Sequence, residues 1–190
     1  MRFLAAVLCL RIFLTAAAAA AQPTDWLRRD VAYSATRNLY FEDGGVLSGP
    51  VWYDGGKERF EMILQDQPQV FIRREDEGRL YMMMPQLGMA MVVKPGSRKA
   101  MPSARDYANL QPEEIGRETV AGEAATKYRV MVEGRTIFIW ATEDGIPLRM
   151  EDESAEARFV IELTDLKRGP QPGELFEVPA GVQNMPISGQ

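Results

Sequence analysis

The sequence predicts a mainly β protein built on one antiparallel meander sheet. Three observations carry that reading. Apolar residues recur at every second position through most of the chain, Gly-containing turns separate the runs, and adjoining hairpins register with their apolar residues on one face. In the C-terminal half the strands are Thr126–Val132, Arg135–Thr142, Pro147–Glu151 and Arg158–Asp165, broken at Glu133-Gly134, at Asp144-Gly145 and over Glu153-Ser154-Ala155. Two-residue turns there set Val130 opposite Ile137, Tyr128 opposite Ile139, Ala141 opposite Leu148 and Ile139 opposite Met150. Phe159, Ile161 and Leu163 supply the matching stripe of the next strand.

The N-terminal half repeats the pattern. After a short helical lead-in over Asp25–Arg29, a strand runs over Val31–Glu42 to the turn Asp43-Gly44-Gly45. Val46–Tyr53 and Lys57–Leu64 then form a hairpin around Gly55-Gly56, which pairs Val51 with Phe60 and Leu47 with Leu64 on one face. On the other face Trp52 meets Arg59, a cation–π geometry, and Pro50 marks an edge or a bulge. Gln69–Arg74, Arg79–Met84 and Met89–Val93 follow. Ser103–Leu110 reads as a short helix with Ser103 as its N-cap, and Gln111–Glu114 as a further turn. From Ile115 the strands return, and Leu175–Val182 closes the chain as an extended segment. The result is about ten strands in sequential order and one or two short helices, which fits a barrel, part-barrel or sandwich.

Residues 1–21 read as an export signal: Arg2, an apolar stretch over Phe3–Leu14, and a small-residue run ending in an A-x-A site at Ala19-Ala20-Ala21. Cleavage before Gln22 leaves a single domain over residues 22–190, expected in the periplasm as a monomer. No later segment reaches the roughly 20 apolar residues of a spanning helix. Cys9, preceded by Leu8, reads as part of the apolar stretch rather than an acylation site.

Composition excludes several functions. The formal net charge is −5, and removal of Arg2 and Arg11 makes the remainder more acidic, which argues against nucleic acid and against attachment to anionic lipid. The chain has no histidine and its one cysteine lies in the signal, so Ser-His-Asp and Cys-His hydrolysis and common zinc sites lack their residues. The acidic clusters Glu113-Glu114 and Glu151-Asp152-Glu153 read as solvated charge, and Gly44-Gly45 and Gly55-Gly56 as turns rather than phosphate loops.

One cluster stands out. With the loop at Pro85–Gly88, Met84 faces Met89 and Met82 faces Met91, and the preceding turn brings Phe71 beside Met82. Leu80 and Val93 share that face, whereas Tyr81, Met83, Ala90, Val92, Val70 and Ile72 share the other, so both faces require cover. Four methionines together fit an ordinary core, the adaptable wall of a hydrophobic ligand cavity, or a Cu(I) thioether site. Trp140 and Phe138, on the face opposite the main stripe among Lys127, Arg129 and Arg149, form either a recognition surface or an outer face covered by side-chain stems.

Leu47-Ser48-Gly49-Pro50-Val51-Trp52-Tyr53, Gly55-Gly56-Lys57-Glu58-Arg59-Phe60-Glu61 and Glu77-Gly78-Arg79-Leu80-Tyr81 resemble strands of the LolA-like periplasmic lipoprotein carriers. So do Gly145–Arg149, Ile161–Leu166 and Leu175–Val182. The resemblance implies a strongly curved, unclosed half-barrel, with short capping helices over a hydrophobic cavity. Members of that superfamily bind lipoprotein acyl chains, other lipids or partner proteins. The strand-like Val31–Glu42 replaces the carriers' long N-terminal helix, so the chain resembles a single-domain branch rather than a true carrier.

The expectation is therefore a non-catalytic periplasmic protein without cofactor, holding a lipid, acyl chain or other hydrophobic ligand in the concave face. Phe71, Met82, Met84, Met89 and Met91 are the expected wall, Ser103–Leu110 the lid, and Arg73 the partner of an anionic headgroup. Expected partners are a hydrophobic small molecule or lipid, a lipoprotein or an envelope protein. An interaction or envelope-stress sensing domain without ligand is the alternative, and Cu(I) binding the second alternative.

Overall fold

The computed structural model describes residues 26–28, 30–94, 103–153 and 159–186; the expected signal lies outside them. One sheet holds β1 (Tyr33–Phe41), β2 (Val46–Asp54), β3 (Lys57–Leu64), β4 (Gln67–Arg74), β5 (Arg79–Met84), β6 (Met89–Val93), β7 (Glu113–Val120), β8 (Glu123–Val132), β9 (Arg135–Ala141), β10 (Pro147–Asp152), β11 (Phe159–Arg168) and β12 (Gln183–Pro186). Their order is β12-β6-β5-β4-β3-β2-β1-β11-β10-β9-β8-β7. Every neighbouring pair is antiparallel except β12 with β6, which is parallel. The margins β7 and β12 do not pair, so the barrel stays open. No helix among the described residues is long and apolar enough to cross a membrane.

Two meanders, β1–β6 and β7–β11, are thus joined through β1 and β11 rather than through the consecutive β6 and β7, which lie toward opposite margins. Curvature follows from burial: residues of both meanders, such as Phe60, Leu80, Ile139 and Met150, pack into one core on the same face. A flat sheet would leave them far apart. On β1 the inward positions Tyr33, Ala35, Arg37 and Leu39 are buried while their neighbours are half-exposed, the alternation expected of a sheet with one filled face.

Most registers follow the pattern read from the sequence. Val130 pairs with Ile137, Tyr128 with Ile139, Ile139 with Met150, Val51 with Phe60 and Trp52 with Arg59. Ala141 departs from it: it faces Pro147, not Leu148, across a register shift. The Asp144-Gly145 connection is longer than two residues because Thr142 Oγ1 accepts the Ile146 N–H at 2.9 Å and Thr142 N–H donates to Ile146 O at 3.0 Å. A Cβ on Gly145 would lie 2.5 Å from Arg28 N, so this loop packs directly on the N-terminal segment.

The β2–β3 ladder reaches only from Asp54–Lys57 to Val51–Phe60, so the Leu47–Leu64 pairing does not form. It stops where Pro50 lacks an N–H and where a Gly49 Cβ would sit 1.7 Å from Glu61 O. Two backbones meet there at a distance that only glycine permits.

The expected helix over Ser103–Leu110 shrinks to a 3₁₀ turn, Ala104–Tyr107. Ser103 is its N-cap as expected, completing a capping box with Asp106. Downstream the chain closes only i→i+3 bonds, Ala108 N–H to Arg105 O and Leu110 N–H to Tyr107 O, before Pro112 biases its predecessor to extended backbone. Gln111–Glu114 is no turn, because β7 begins at Glu113. In the expected helical lead-in, Trp26 and Leu27 are bends, both buried in the core. Two further 3₁₀ turns cover Pro85–Leu87 and Gly173–Phe176.

Candidate functional site

The concave face has two layers. Near the tips of the β1–β2, β3–β4 and β5–β6 hairpins, Met82 pairs with Met91, Met84 with Met89 and Phe71 with Met82. Phe60 stacks on Phe71 with ring centroids 6.1 Å apart, so the aromatic pair floors the methionine strip. Phe71 is buried, Met82 is half-buried against the core, and Met84, Met89 and Met91 are half-buried beyond it. The structure therefore brings together the five wall residues expected from the sequence. At the same level, Leu47, Val132 and Phe159 also stay only partly buried.

The reverse side of this hairpin is closed. Val70, Ile72, Tyr81, Met83 and Ala90 form a second buried cluster, covered by Val178 and Val182 of the C-terminal segment. Arg59 Nη1 holds that segment at Leu175 O (3.1 Å) and Arg74 Nη1 holds it at Glu177 (3.1 Å). Both faces of the hairpin are thus covered as the sequence requires, but differently: protein seals the outer face, and the inner face keeps a partly accessible methionine strip.

Below the aromatic pair lies a charged layer. Arg37 and Glu58 make a two-point ion pair at 3.1 and 2.7 Å, and both are buried. Burial works to raise the Glu58 carboxyl, but the Arg37 guanidinium prevails and holds it below the usual carboxylate range. The Arg37 guanidinium also lies 4.9 Å over the Phe60 ring. Arg73 Nη1 donates to Asp106 Oδ1 at 2.5 Å, and the other Asp106 oxygen accepts the Ser103 N–H at 3.0 Å. Burial pushes the Asp106 carboxyl up, against the pull of Arg73. Arg105 enters from the same 3₁₀ turn, stacks 3.6 Å over Tyr53 and donates to Arg28 O at 2.9 Å. Tyr33 and Tyr53 stack at 5.4 Å, and burial raises both phenols, that of Tyr53 to about 12. The segment expected as a lid is therefore an inner strap that fills the lower trough. Arg73, the expected headgroup partner, is turned to this strap.

The sequence reading missed Arg37, Glu58, Arg105 and Tyr33 as members of one layer. A signal existed: Arg37 interrupts the inward stripe Tyr33, Ala35, Leu39, and Glu58 precedes the inward Phe60 and Met62. Opposite charges at core positions of nearby strands are expected to meet. On the outer face, Lys127 lies 4.4 Å over Trp140 and 4.8 Å over Phe138, and Trp140 Nε1 donates to Glu118 at 3.0 Å, so this aromatic pair is covered by stems. Arg59, the expected cation over Trp52, bonds Glu61 and Leu175.

No protein-family model matches the sequence. A search of curated proteins returns no match. Solved structures do match. An uncharacterized conserved protein from Thermus thermophilus superposes with a TM-score of 0.60 at 12% identity, covering 86% of this chain and 94% of that one. A chain of the Pseudomonas aeruginosa MucA/MucB complex superposes with a TM-score of 0.53 at 17% identity, covering 84% of this chain and 62% of that one. The fold is shared. Structural neighbours also include a LolA superfamily protein, NE2245 from Nitrosomonas europaea, at a TM-score of 0.43 and 11% identity, covering 82% of this chain and 94% of that one.

Proposed function

We propose that this chain is a non-catalytic, exported binding protein of one domain that holds a lipid, acyl chain or other hydrophobic ligand against the upper concave face. The carrying observation is an asymmetry. The lower trough is filled by Ala104, Arg105 and Tyr107 and the outer face of β4–β6 is sealed, yet the inward methionines 82, 84, 89 and 91 stay half-buried beside a packed aromatic floor. Flexible thioethers left short of full burial suit an apolar guest of variable shape, and each buried methylene of that guest contributes about 0.8 kcal/mol. Among the described residues the inward carboxylates Glu58, Asp106 and Asp152 are each engaged by an arginine, which supports a non-catalytic reading.

The test is enhancement of the neutral probe N-phenyl-1-naphthylamine, with mass spectrometry of organic extracts of the purified protein. Saturable enhancement that Met82→Glu removes and Met131→Glu preserves supports the reading, because Met131 lies exposed near the β8–β9 turn. Absence of both probe binding and co-purified lipid overturns it. A second reading, a protein-interaction domain of the envelope, is favoured by the filled lower trough and by the shared fold with a chain of the MucA/MucB complex. A partner captured at defined stoichiometry by a protein that does not bind the probe supports that reading.

A further inference from the structure

Arg105 is a buried charged group that forms no ion pair among the described residues. It is 6% exposed, and no carboxylate among the described residues lies within ion-pair distance of it. One of its nitrogens reaches Arg28 O, whereas Nε and Nη2 have no hydrogen-bond partner. The fully buried Tyr33 hydroxyl, on the ring that the same guanidinium faces at 6.0 Å, has none either. Among the described residues this layer therefore holds three buried guanidiniums, Arg37, Arg73 and Arg105, against the buried Glu58 and the partly buried Asp106. Asp152 and Arg135 form a separate pair at 2.7 Å, and Arg149 is engaged by Glu151 and Glu162. A charge out of water requires a partner, and donors with none mark where an acceptor belongs. Tyr33, Arg37, Ser103, Ala104, Arg149 and Met150 border a cavity of about 20 Å³, room for about one water, which Tyr33 and the strap residues Ser103 and Ala104 line but Arg105 does not.

We infer that Arg105 and the Tyr33 hydroxyl receive the oxyanion head, carboxylate or phosphate, of the hydrophobic ligand, which makes the ligand an anionic amphiphile. This rests on the binding reading above. The head takes the missing negative charge, displacing water from the cavity as the 103–107 strap shifts outward. The side chains between this layer and the strip are apolar and packed, with Arg37 over Phe60, Phe60 stacked on Phe71 and Phe71 facing Met82, so the tail parts the Phe60–Phe71 pair to reach Met82 and Met84. From the level of Arg73 to the level of Gln69 the path follows four residues of β4, about 13 Å. Arg37 and Arg73 each have a buried Nε without a hydrogen-bond partner too, but both already hold a carboxylate, whereas Arg105 leaves two nitrogens open and holds no carboxylate among the described residues.

Titration calorimetry with dodecanoate, dodecanol and inorganic phosphate tests the inference. The wild type is expected to bind dodecanoate at least about tenfold more tightly than dodecanol, the gain of one charge-assisted contact. Arg105→Met is expected to erase that preference while still binding dodecanol, and Arg105→Lys to keep part of it; thermal melts check that both variants are folded. If Arg105→Met does not fold, loss of part of the preference in Tyr33→Phe decides the matter. Equal binding of dodecanoate and dodecanol by the wild type overturns the headgroup site and leaves the hydrophobic binding reading standing. Binding of neither overturns both. Binding of phosphate with no preference for dodecanoate assigns the site to a free anion and overturns the headgroup role.

Discussion

The charged layer under the methionine strip makes an asymmetric prediction about its central ion pair. Removing either partner of a buried pair is ordinarily costly, about 3–5 kcal/mol, because the other is left uncompensated. Here the two partners are not equivalent. Glu58→Gln leaves three buried guanidiniums facing the Asp106 carboxylate alone, and all three, Arg37, Arg73 and Arg105, act on Glu58. It is expected to cost the full range of about 3–5 kcal/mol. Arg37→Met leaves two guanidiniums and two carboxylates, a balanced layer, and fills the space over Phe60 with an apolar side chain. Its expected cost is about 1.5–3 kcal/mol, the loss of hydrogen bonds to a charged group. Thermal unfolding followed by circular dichroism reads both, at about 2–4 °C per kcal/mol for a chain of this size. Glu58→Gln should lower Tm by about 6–20 °C, and by clearly more than Arg37→Met. Equal losses, or the reverse order, would refute the excess positive charge. The pH dependence has a fixed sign. With its folded-state value below the ordinary 4.5, Glu58 contributes its full stabilisation above that pH and loses it as pH falls through the folded value. The gap between wild type and Glu58→Gln should therefore close in strong acid.

Other substitutions probe the frame that positions the site. Gly49→Ala sets a methyl against Glu61 O and is expected to cost about 3 kcal/mol or more, read as a lowered urea midpoint with unchanged slope. Phe176→Ala removes a fully buried ring from the C-terminal segment; it should cost about 3–5 kcal/mol in the same urea titration and raise hydrogen exchange in β5 and β6 beneath that segment. Asp106→Ala, which removes the capping box and the Arg73 partner together, should raise exchange at the Ala108 and Leu110 amides before that of the core strands.

Strands bounded by clear turn signals were legible in the sequence. β3, β5 and β6 have the bounds that the pattern assigns, and the methionine pairs follow once Pro85–Gly88 is taken as the loop. What escaped the pattern was long-range or local-chemical. The β1–β11 pairing joins strands whose alternation matches several neighbours equally well, and no turn ties them. The shift at Pro147 depends on a side-chain hydroxyl, that of Thr142, remaking the turn. The Ser103 cap was readable, but the helix behind it was not sustained, because a four-residue turn gains more from Arg105 on Tyr53 and Asp106 on Arg73 than from further helical bonds. Of the site, the apolar wall was read from periodicity, whereas the buried arginines were not. A hydrophobic pattern treats an inward charge as noise until a second charge is placed across from it.

Methyl-labelled methionine spectra recorded during a dodecanoate titration test ligand binding in the trough most directly. The Met82, Met84, Met89 and Met91 methyls are expected to shift together and saturably. Met83, sealed on the outer face, and Met131, exposed near the β8–β9 turn, should stay in place. Shifts confined to Met131, or an unchanged spectrum at saturating dodecanoate, would contradict a guest in the trough.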